Sequence, residues 1–439
     1  MFRTFFRLSY MTMFVAGIFM LLFPARISAD TMGIQVLRVN GTIVPVIVDY
    51  IDRGISQAEA KGNTLCIIEL NTPGGLLDST EKIVQRILNA KVPVVVYVYP
   101  GGSWAASAGT FITISAHIAA MAPGTTIGAA HPVSVGENMP AEVQQKATEY
   151  SAAWIKSIAE IRKRDQVQAE LAVKESKSFT APQALENHLI DYIAADLDSL
   201  VQQINGKKIV LANNQEVTVD VSAKSFEINE MNWTERFLQA ISNPNVAYIL
   251  LSLATIGLIT EISSPGLIFP GVIGGICLFI AFYSLGTLNA YWAGVLLIIL
   301  AFGLFVAELF VSAFGILTAG GLASLILGSL ILFANNPPAL TVNTGLIIVV
   351  AVVIAAFVIL VVGAVVRGQR RKITTGVEGL IGRVAIAKTK LDPKGNVLVE
   401  GELWAATIDE GTIESGEEVT VTGVEGLKLK VTRKKEKGE

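Results

Sequence analysis

A nearly continuous apolar stretch between residues 246 and 366 constrains this chain more than any other feature. A helix needs about 20 consecutive apolar residues to cross the hydrocarbon core of a bilayer. Polar residues, prolines and glycines divide the stretch into about five such segments. The sequence therefore predicts an integral membrane protein with a lipid-facing α-helical bundle, whose crossings are 246–263, 267–287, 291–312, 314–334 and 344–366.

The overall composition agrees with a membrane protein and excludes some function classes. Of 439 residues, 52% are hydrophobic and 16% are charged. The formal net charge of -3 leaves no large basic patch, so nucleic-acid binding is excluded. With three histidines, two cysteines and no HExxH or CxxC spacing, we expect no metal site and no cofactor.

The membrane segments contain two acidic residues at similar places. Glu261 and Glu308 precede Gly274-Gly275 and Gly320-Gly321 by almost the same distance, which suggests a weak duplication of a helix pair. A carboxylate at membrane depth is costly and is a functional hypothesis by default. Because no basic partner lies in these spans, we favour hydrogen bonding at helix ends or between helices.

The two ends of the chain predict its orientation. Residues 1–29 have the pattern of a secretory signal peptide, with Arg3 and Arg7 before an apolar core that ends in small residues at Ala29. An uncleaved anchor is the alternative, and it leaves the next domain on the same, exported side. The cationic segment 367–372 favours a cytoplasmic C-terminus. Five crossings end on that side too, so we predict a multi-pass protein of the cell (inner) membrane.

Two soluble domains flank the bundle. In residues 30–225 the β-rich runs IQVLRV, TLCIIEL and PVVVYVY alternate with helical patterns, which indicates an α/β domain with a mostly parallel sheet. Residues 375–433 show short alternating strands with turn signals, typical of a small all-β barrel of the OB type. Its few aromatic residues and mixed charges favour protein interaction. Residues 226–245 are predicted to be a juxtamembrane linker, and 246–366 the membrane domain.

Two small-residue loops follow predicted parallel strands, at the sheet edge where α/β domains place their sites. The loop NTPGG follows CIIEL and opens a helix, and its Gly74 and Gly75 let backbone N–H groups point outward. The loop GGSWAASAGT holds Ser107 between small neighbours, Ala106 and Ala108, which would let an extended peptide approach its hydroxyl. Together they predict a nucleophile beside an oxyanion site.

A serine hydroxyl is a poor nucleophile unless a base takes its proton. His117 is set aside because it lies at the far end of the helix that Ser107 opens. His131 and Lys146 remain as candidate bases. A lysine base must be neutral, and we expect Lys146, in a helix with several apolar neighbours, to be buried.

The succession of NTPGG, AASAGT, MAPGTTIGAAHPV and a lysine before a long helix resembles the NfeD family of ClpP-class membrane serine peptidases, related to signal peptide peptidase A. The resemblance covers the whole chain. It implies a ClpP/crotonase-like fold for residues 30–225 and a Ser-Lys dyad that cleaves hydrophobic stretches of a stomatin-type partner. The site residues it implies are the nucleophile Ser107, the base Lys146 and the oxyanion-binding residues Gly74, Gly75 and Ala108.

One departure keeps a second base open. ClpP uses a histidine at a spacing similar to that of His131, which follows Ser107 by 24 residues (131 − 107). We favour Lys146 because its surroundings resemble the lysine region of the family and no obvious aspartate completes a histidine triad. Ser103 is the weaker nucleophile candidate, since the active serine of the family precedes AGT.

These observations predict an integral membrane serine endopeptidase that cleaves apolar segments of membrane-associated proteins, such as stomatin- or flotillin-like partners. Peptidases of this fold build their grooves between subunits, so we expect a homo-oligomer by analogy. One alternative is a non-catalytic scaffold that organises such partners in the bilayer. A crotonase-type acyl-CoA enzyme is disfavoured because CoA is cytoplasmic and the domain is expected to be exported.

Overall fold

The structure is a computed structural model. It describes residues 33–132, 141–221, 225–264, 266–311, 313, 315–334, 336, 340–369 and 377–434. The predicted signal peptide lies outside these residues. The chain divides between Ile359 and Leu360 into two compact units, which are described separately.

The first unit begins with an α/β domain built on a parallel sheet. Its strands are β1 (Ile34–Asn40), β2 (Leu65–Asn71), β3 (Val94–Val98), β4 (Trp104–Ala106), β5 (Ile118–Met121), β6 (Thr126–Gly128), β7 (Ser178–Thr180), β8 (Tyr192–Ile193), β9 (Lys208–Val210), β10 (Glu216–Thr218) and β11 (Phe226–Asn229). Six of them form one all-parallel sheet in the order β11-β1-β2-β3-β5-β8. β3 is buried throughout, as expected of a strand covered on both faces.

Helices cover the sheet on both faces. They are α1 (Pro45–Ala60), α2 (Leu77–Leu88), α3 (Ala108–Ser115), α4 (Ala141–Ile161), α5 (Gln166–Lys174), α6 (Ala181–Glu186) and α7 (Leu197–Ile204). One face, with Val36 and Ile67, packs on α7 and the β9–β10 hairpin. The alternate residue Leu37 points to the other face, where a Cβ on Gly54 of α1 would meet it at 2.4 Å. The period-two burial of the strands is the pattern that their sequences predict.

A small second sheet lies beyond the end of β3. It has the order β4-β6-β7, with β4 parallel to β6 and β6 antiparallel to β7. A bridge between Thr72 and Ala105 ties it to the loop after β2. The second sheet therefore holds the two predicted site loops side by side.

The segment expected to be a linker is structured. β11 adds to the edge of the large sheet beside β1, and α8 (Trp233–Ile241) follows it. Asn232 and Glu235 form a capping box at the start of α8. The sequence signals were Asn232 three residues before Glu235 and the short β-rich run FEIN.

Five apolar helices follow: α9 (Pro244–Ser263), α10 (Phe269–Thr287), α11 (Trp292–Phe310), α12 (Ile316–Ile331) and α13 (Thr344–Gln369). By length and composition, four of these described helices can cross a membrane, and α12 is shorter. α9 and α10 pack closely because Gly257 has no side chain: a Cβ there would lie 2.6 Å from the Pro270 carbonyl oxygen. α11 and α12 pack in the same way at Gly294, where a Cβ would lie 2.6 Å from the Leu332 Cα.

The membrane carboxylates lie at helix ends. Both carboxylate oxygens of Glu308 accept backbone N–H groups at 2.9 Å, from Gly315 and Thr318, at the start of α12. This confirms the interpretation of Glu308 as a hydrogen-bonding group at a helix end. Glu261 accepts a longer bond, 3.5 Å, from the Gly266 amide.

The second unit contains a closed five-stranded barrel. Its strands are β12 (Val384–Ala387), β13 (Lys394–Val399), β14 (Glu402–Thr407), β15 (Glu418–Glu425) and β16 (Lys428–Arg433), in the closed order β12-β13-β14-β16-β15. Inward-facing apolar residues such as Val397, Ile413 and Leu429 fill it. The barrel agrees with the predicted OB-like domain.

Candidate active site

Ser107 lies at a sharp turn between β4 and α3. Its φ is 51° and its ψ is -113°, a conformation that side-chain-bearing residues rarely adopt. Its amide donates to the Gly128 carbonyl at 3.0 Å, so pairing with the strand β6 holds the turn in place. The side chain is half-buried and caps no helix amide. Strained turns of this kind present a nucleophile clear of the backbone.

The loop after β2 touches this serine. A Cβ on Gly74, which has a φ of 120°, would lie 2.7 Å from the Ser107 Cβ and 3.2 Å from its Oγ. The Gly74 amide donates to the Thr72 hydroxyl at 3.0 Å, so this amide is already used. Gly74 therefore allows the close approach of the loop, and Thr72 fixes its shape. Because the Gly74 amide is engaged with Thr72, it does not provide the outward N–H group that the sequence predicted for an oxyanion.

Two backbone amides beside Ser107 remain open. The neighbours of Gly75 are paired with Ile43: the Gly74 carbonyl accepts from the Ile43 amide at 2.8 Å, and the Leu76 amide donates to the Ile43 carbonyl at 2.9 Å. Among the described residues, neither the Gly75 amide nor the Ala108 amide donates a hydrogen bond. Ala108 is the first residue of α3, where amides are partly positive, and Gly75 lies two residues before α2 begins at Leu77.

Lys146 departs from the expectation. It is exposed rather than buried, and it forms no hydrogen bond or ion pair with another described residue. The physical reason is that the first turns of α4, residues 141–146, are all exposed in the single chain. Helix periodicity nevertheless puts Lys146 on the same face as Tyr150 and Trp154.

That face of α4 leads toward the serine. Trp154 stacks on Phe111 of α3, one turn after Ser107, with ring centroids 4.6 Å apart. The Tyr150 hydroxyl donates to Glu81 in the second turn of α2 at 2.9 Å. α4 therefore contacts both α2 and α3, the helices that follow the two site loops.

The remaining candidate residues are His131 and His117 as bases and Ser103 as a nucleophile. The Nδ1 of His131 lies 3.0 Å from the Val173 carbonyl; since a carbonyl only accepts, Nδ1 is the donor. Its orienting group is thus a carbonyl at the end of α5 and not a carboxylate. His117 is half-buried, and its loss of hydration lowers its pKa to about 3. Ser103 is buried in the turn before β4.

A cavity of about 450 Å³ lies next to the site loops. It is lined by residues 40–42 and Val44 at and after the end of β1, by residues around the junction of α8 with α9 between 239 and 246, and by Leu340. Gln239 bridges the two sides by donating from Nε2 to the Asn40 carbonyl at 3.2 Å. Ile43, which forms a β-bridge with Gly75, lies between the lining residues Thr42 and Val44.

Comparison with known proteins agrees with this architecture. Three family models match: the NfeD1b N-terminal domain at residues 33–219, the NfeD integral membrane domain at 245–364, and the NfeD-like C-terminal, partner-binding domain at 377–433. The chain is 37% identical over 415 residues to the membrane-bound protease PH1510 of Pyrococcus horikoshii, covering 92% of this chain and 94% of that one. The chain belongs to the NfeD family.

Other NfeD-related proteins are similar to it. Membrane protein NfeD1b of Bacillus subtilis is 29% identical over 437 residues, covering 92% of this chain and 93% of that protein. A solved structure of a 1510-N membrane protease specific for a stomatin homolog, from Pyrococcus horikoshii, is 34% identical and covers 48% of this chain and 98% of that chain, with a TM-score of 0.43.

Several expectations are thereby confirmed. The fold class is an α/β domain with a parallel sheet, an apolar helical bundle and a small closed barrel. This NfeD-family chain is a multi-pass membrane protein, and the expected protease class is confirmed by its protease relative. Sequence reasoning missed Thr72, Ile43 and Gly128; only the threonine of NTPGG carried a signal, as a turn-forming hydroxyl.

Proposed function

We propose that this NfeD-family protein is a serine endopeptidase with a Ser-Lys dyad, in which Ser107 is the nucleophile and Lys146 the general base. The observation that carries the proposal is the strained turn at Ser107 together with the Gly75 and Ala108 amides, neither of which donates a hydrogen bond to a described residue. Such a pair of amides can stabilise the oxyanion that forms when a hydroxyl attacks a carbonyl.

The reaction follows from these groups. The neutral amine of Lys146 takes the proton of the Ser107 hydroxyl as Oγ bonds to the carbonyl carbon of the substrate. The carbonyl oxygen becomes an oxyanion that accepts hydrogen bonds from the Gly75 and Ala108 amides. The lysine then gives its proton to the leaving amine as the C–N bond breaks. Water, deprotonated by the same amine, hydrolyses the acyl-enzyme and restores both groups.

The exposure of Lys146 sets a condition on this mechanism. A lysine acts as a base in its neutral form, which burial favours, so the dyad needs a cover on the first turns of α4. A second copy of the chain supplies that cover in our proposal, and a bound substrate segment completes it. Homo-oligomerisation is therefore part of the proposal.

The proposed substrates are apolar segments of membrane-associated proteins. The solved relative is described as specific for a stomatin homolog, and residues 377–433 match a partner-binding domain. We infer that the barrel recruits a stomatin- or flotillin-like partner to the catalytic domain. In the proposed orientation the catalytic domain is extracytoplasmic and the barrel is cytoplasmic, so the partner is engaged on both sides of the membrane.

A serine-directed phosphonate tests the nucleophile. The full chain in detergent or vesicles should be labelled on the peptide that contains Ser107, and Ser107→Ala should abolish labelling and cleavage. Ser103→Ala is the matched control, four residues away in the same loop, and should keep both. Labelling elsewhere, or cleavage by the Ser107→Ala protein, contradicts the assignment.

Paired variants test the base. Lys146→Ala should lower turnover by at least about 100-fold, the usual contribution of a general base. His131→Ala should retain most of the activity, because its ring is engaged with the Val173 carbonyl. If only the histidine variant loses turnover, the base is His131 and the dyad is wrong.

The exposed Lys146 also favours a second candidate function, a scaffold without catalysis that organises stomatin-like partners. The two functions differ in one measurement. In cells, the Ser107→Ala protein should fail to process its partner if the chain is a peptidase. It should replace the wild-type protein fully if the chain is a scaffold.

A further inference from the structure

We propose that α8 lies in the headgroup region of the bilayer, with Trp233 and Phe237 inserted among the lipids, and that it fixes the α/β domain on the membrane surface. This inference concerns a lipid-binding surface and does not depend on the chemistry at Ser107. It rests on three features of α8: an exposed aromatic face, its continuity with the membrane helices, and a clamp to the α/β domain.

The aromatic face of α8 is unusually exposed. Trp233 is 79% exposed and Phe237 is 41% exposed. The residues are one turn apart, and their rings stack with centroids 5.9 Å apart. Two large neighbouring aromatic side chains in water carry a substantial hydrophobic cost, whereas tryptophan is favoured at the membrane–water boundary.

The position of α8 in the chain selects lipid as the occupant of this face. The helix ends at Ile241, and the first membrane helix begins at Pro244. The Ser284 hydroxyl, in the last turn of the membrane helix α10, donates to the Ile241 carbonyl. The end of α8 is therefore at the level where two apolar helices begin and end, which is the boundary of the hydrocarbon core.

A partly buried ion pair fixes which face of α8 turns to the lipid. Arg53 of α1 binds both carboxylate oxygens of Glu235, with Nε and Nη2 each 2.7 Å from an oxygen. The same guanidinium donates to the Asn229 side chain at 2.8 Å. Glu235 is buried, so α8 cannot rotate about its axis without breaking this clamp. The aromatic face and the α/β domain thus have one fixed orientation.

Depth-dependent quenching tests the inference. A full-length variant that keeps Trp233 and replaces Trp104, Trp154, Trp292 and Trp404 by Phe is reconstituted in phosphatidylcholine–phosphatidylglycerol vesicles. We expect blue-shifted emission and a stronger loss of fluorescence with a shallow doxyl-labelled lipid than with a deep one. A matched variant that keeps only Trp104, exposed on the α/β domain, should show neither effect.

A second probe leaves the tryptophans in place, in case their replacement unfolds the protein. Cys66 and Cys277 are both buried, so a nitroxide reagent should react with an introduced Phe237→Cys. We expect this label to be accessible to oxygen more than to a water-soluble nickel complex, and a label at Glu160→Cys, exposed on α4, to show the reverse.

Two outcomes overturn the proposal. Water-like emission from Trp233 without quenching would place α8 outside the bilayer. Blue-shifted emission that no doxyl lipid quenches would show that a protein, either a partner or a second copy, covers the aromatic face instead. Neither outcome would alter the phosphonate test at Ser107.

Discussion

At the residue scale, the site depends on glycines that let two loops come together. Gly74 has both a positive φ and a neighbour, Ser107, within 2.7 Å of where a Cβ would lie. Gly62 has a φ of 63° and no atom within 4 Å of such a Cβ. The two positions separate backbone strain from loss of the serine contact.

We predict that Gly74→Ala loses peptidase activity, while Gly62→Ala keeps it. Both variants should lose about 1 kcal/mol or more of stability, because each forces a side chain into positive φ. Only the first pushes the loop away from Ser107. Urea unfolding and single-turnover acylation measure the two effects. Full acylation by a folded Gly74→Ala protein would show that the loop does not need this approach.

The residues of this site were predictable to different degrees. Ser107, Gly74 and Gly75 follow from local turn chemistry, because small residues after a strand are visible in the sequence itself. The exposure of Lys146 was not visible. Whether one face of α4 is covered depends on how far the helix extends past α2 and α3, which is a property of tertiary packing.

At the element scale, α8 is held by a partly buried ion pair. Glu235 is 10% exposed and Arg53 is 27% exposed at the side chain. We predict that Glu235→Gln destabilises the fold by about 3 kcal/mol, the lower end for a broken buried pair, because Arg53 keeps some contact with water. Glu230→Gln is the matched control. Its pair with Arg236 is exposed, so the loss should stay below about 1 kcal/mol. Equal losses in chemical denaturation would contradict the clamp.

The same pair predicts a pH dependence. Burial raises the pKa of Glu235, but the hydrogen bonds from Arg53 and the Asn232 amide, together with the charge of Arg53, outweigh it, and the pKa is lowered overall. A carboxyl with a lowered pKa stabilises the fold above the ordinary glutamate pKa of about 4.3, and this stabilisation is lost as the pH falls through the folded value. The stability difference between wild type and Glu235→Gln should therefore shrink between pH 7 and pH 3. A constant difference would show that the charge of Glu235 is not involved.

The elements themselves were mostly predictable. β1, β2, β3 and the apolar helices have strong periodicity or length, and they appear within a few residues of the expected bounds. β11 and α8 were not expected, because a four-residue strand and a nine-residue helix give weak signals beside a long apolar stretch. Their partners, β1 and Arg53, lie about 180 residues earlier in the chain.

At the scale of the whole molecule, the number of crossings decides where the barrel lies. α12 has 16 residues, or roughly 24 Å of helix, less than the hydrocarbon thickness. α12 nevertheless runs antiparallel to α11 and pairs with it near both ends. Glu308 near the end of α11 binds the start of α12, and the Tyr291 amide just before α11 donates to the Leu332 carbonyl.

We therefore predict five crossings and a cytoplasmic C-terminus. A reporter fused after residue 434 should be active only in the cytoplasm, and one inserted at the exposed turn around Asn213 of the α/β domain should be active only outside. The second fusion is the internal control for orientation. A C-terminal reporter outside the cytoplasm would show that one of the five apolar helices does not cross.

The cavity between β1 and the α8–α9 junction has a consequence for substrate choice. Ile43 joins Gly75 to the chain segment that lines this cavity, and the opposite wall leads directly into the first membrane helix. The scissile bond would thus be held at nearly constant height above the lipid phosphates. An enzyme of the proposed kind would select by geometry as well as by apolar character: an apolar segment is cut where its distance from the membrane matches the height of Ser107.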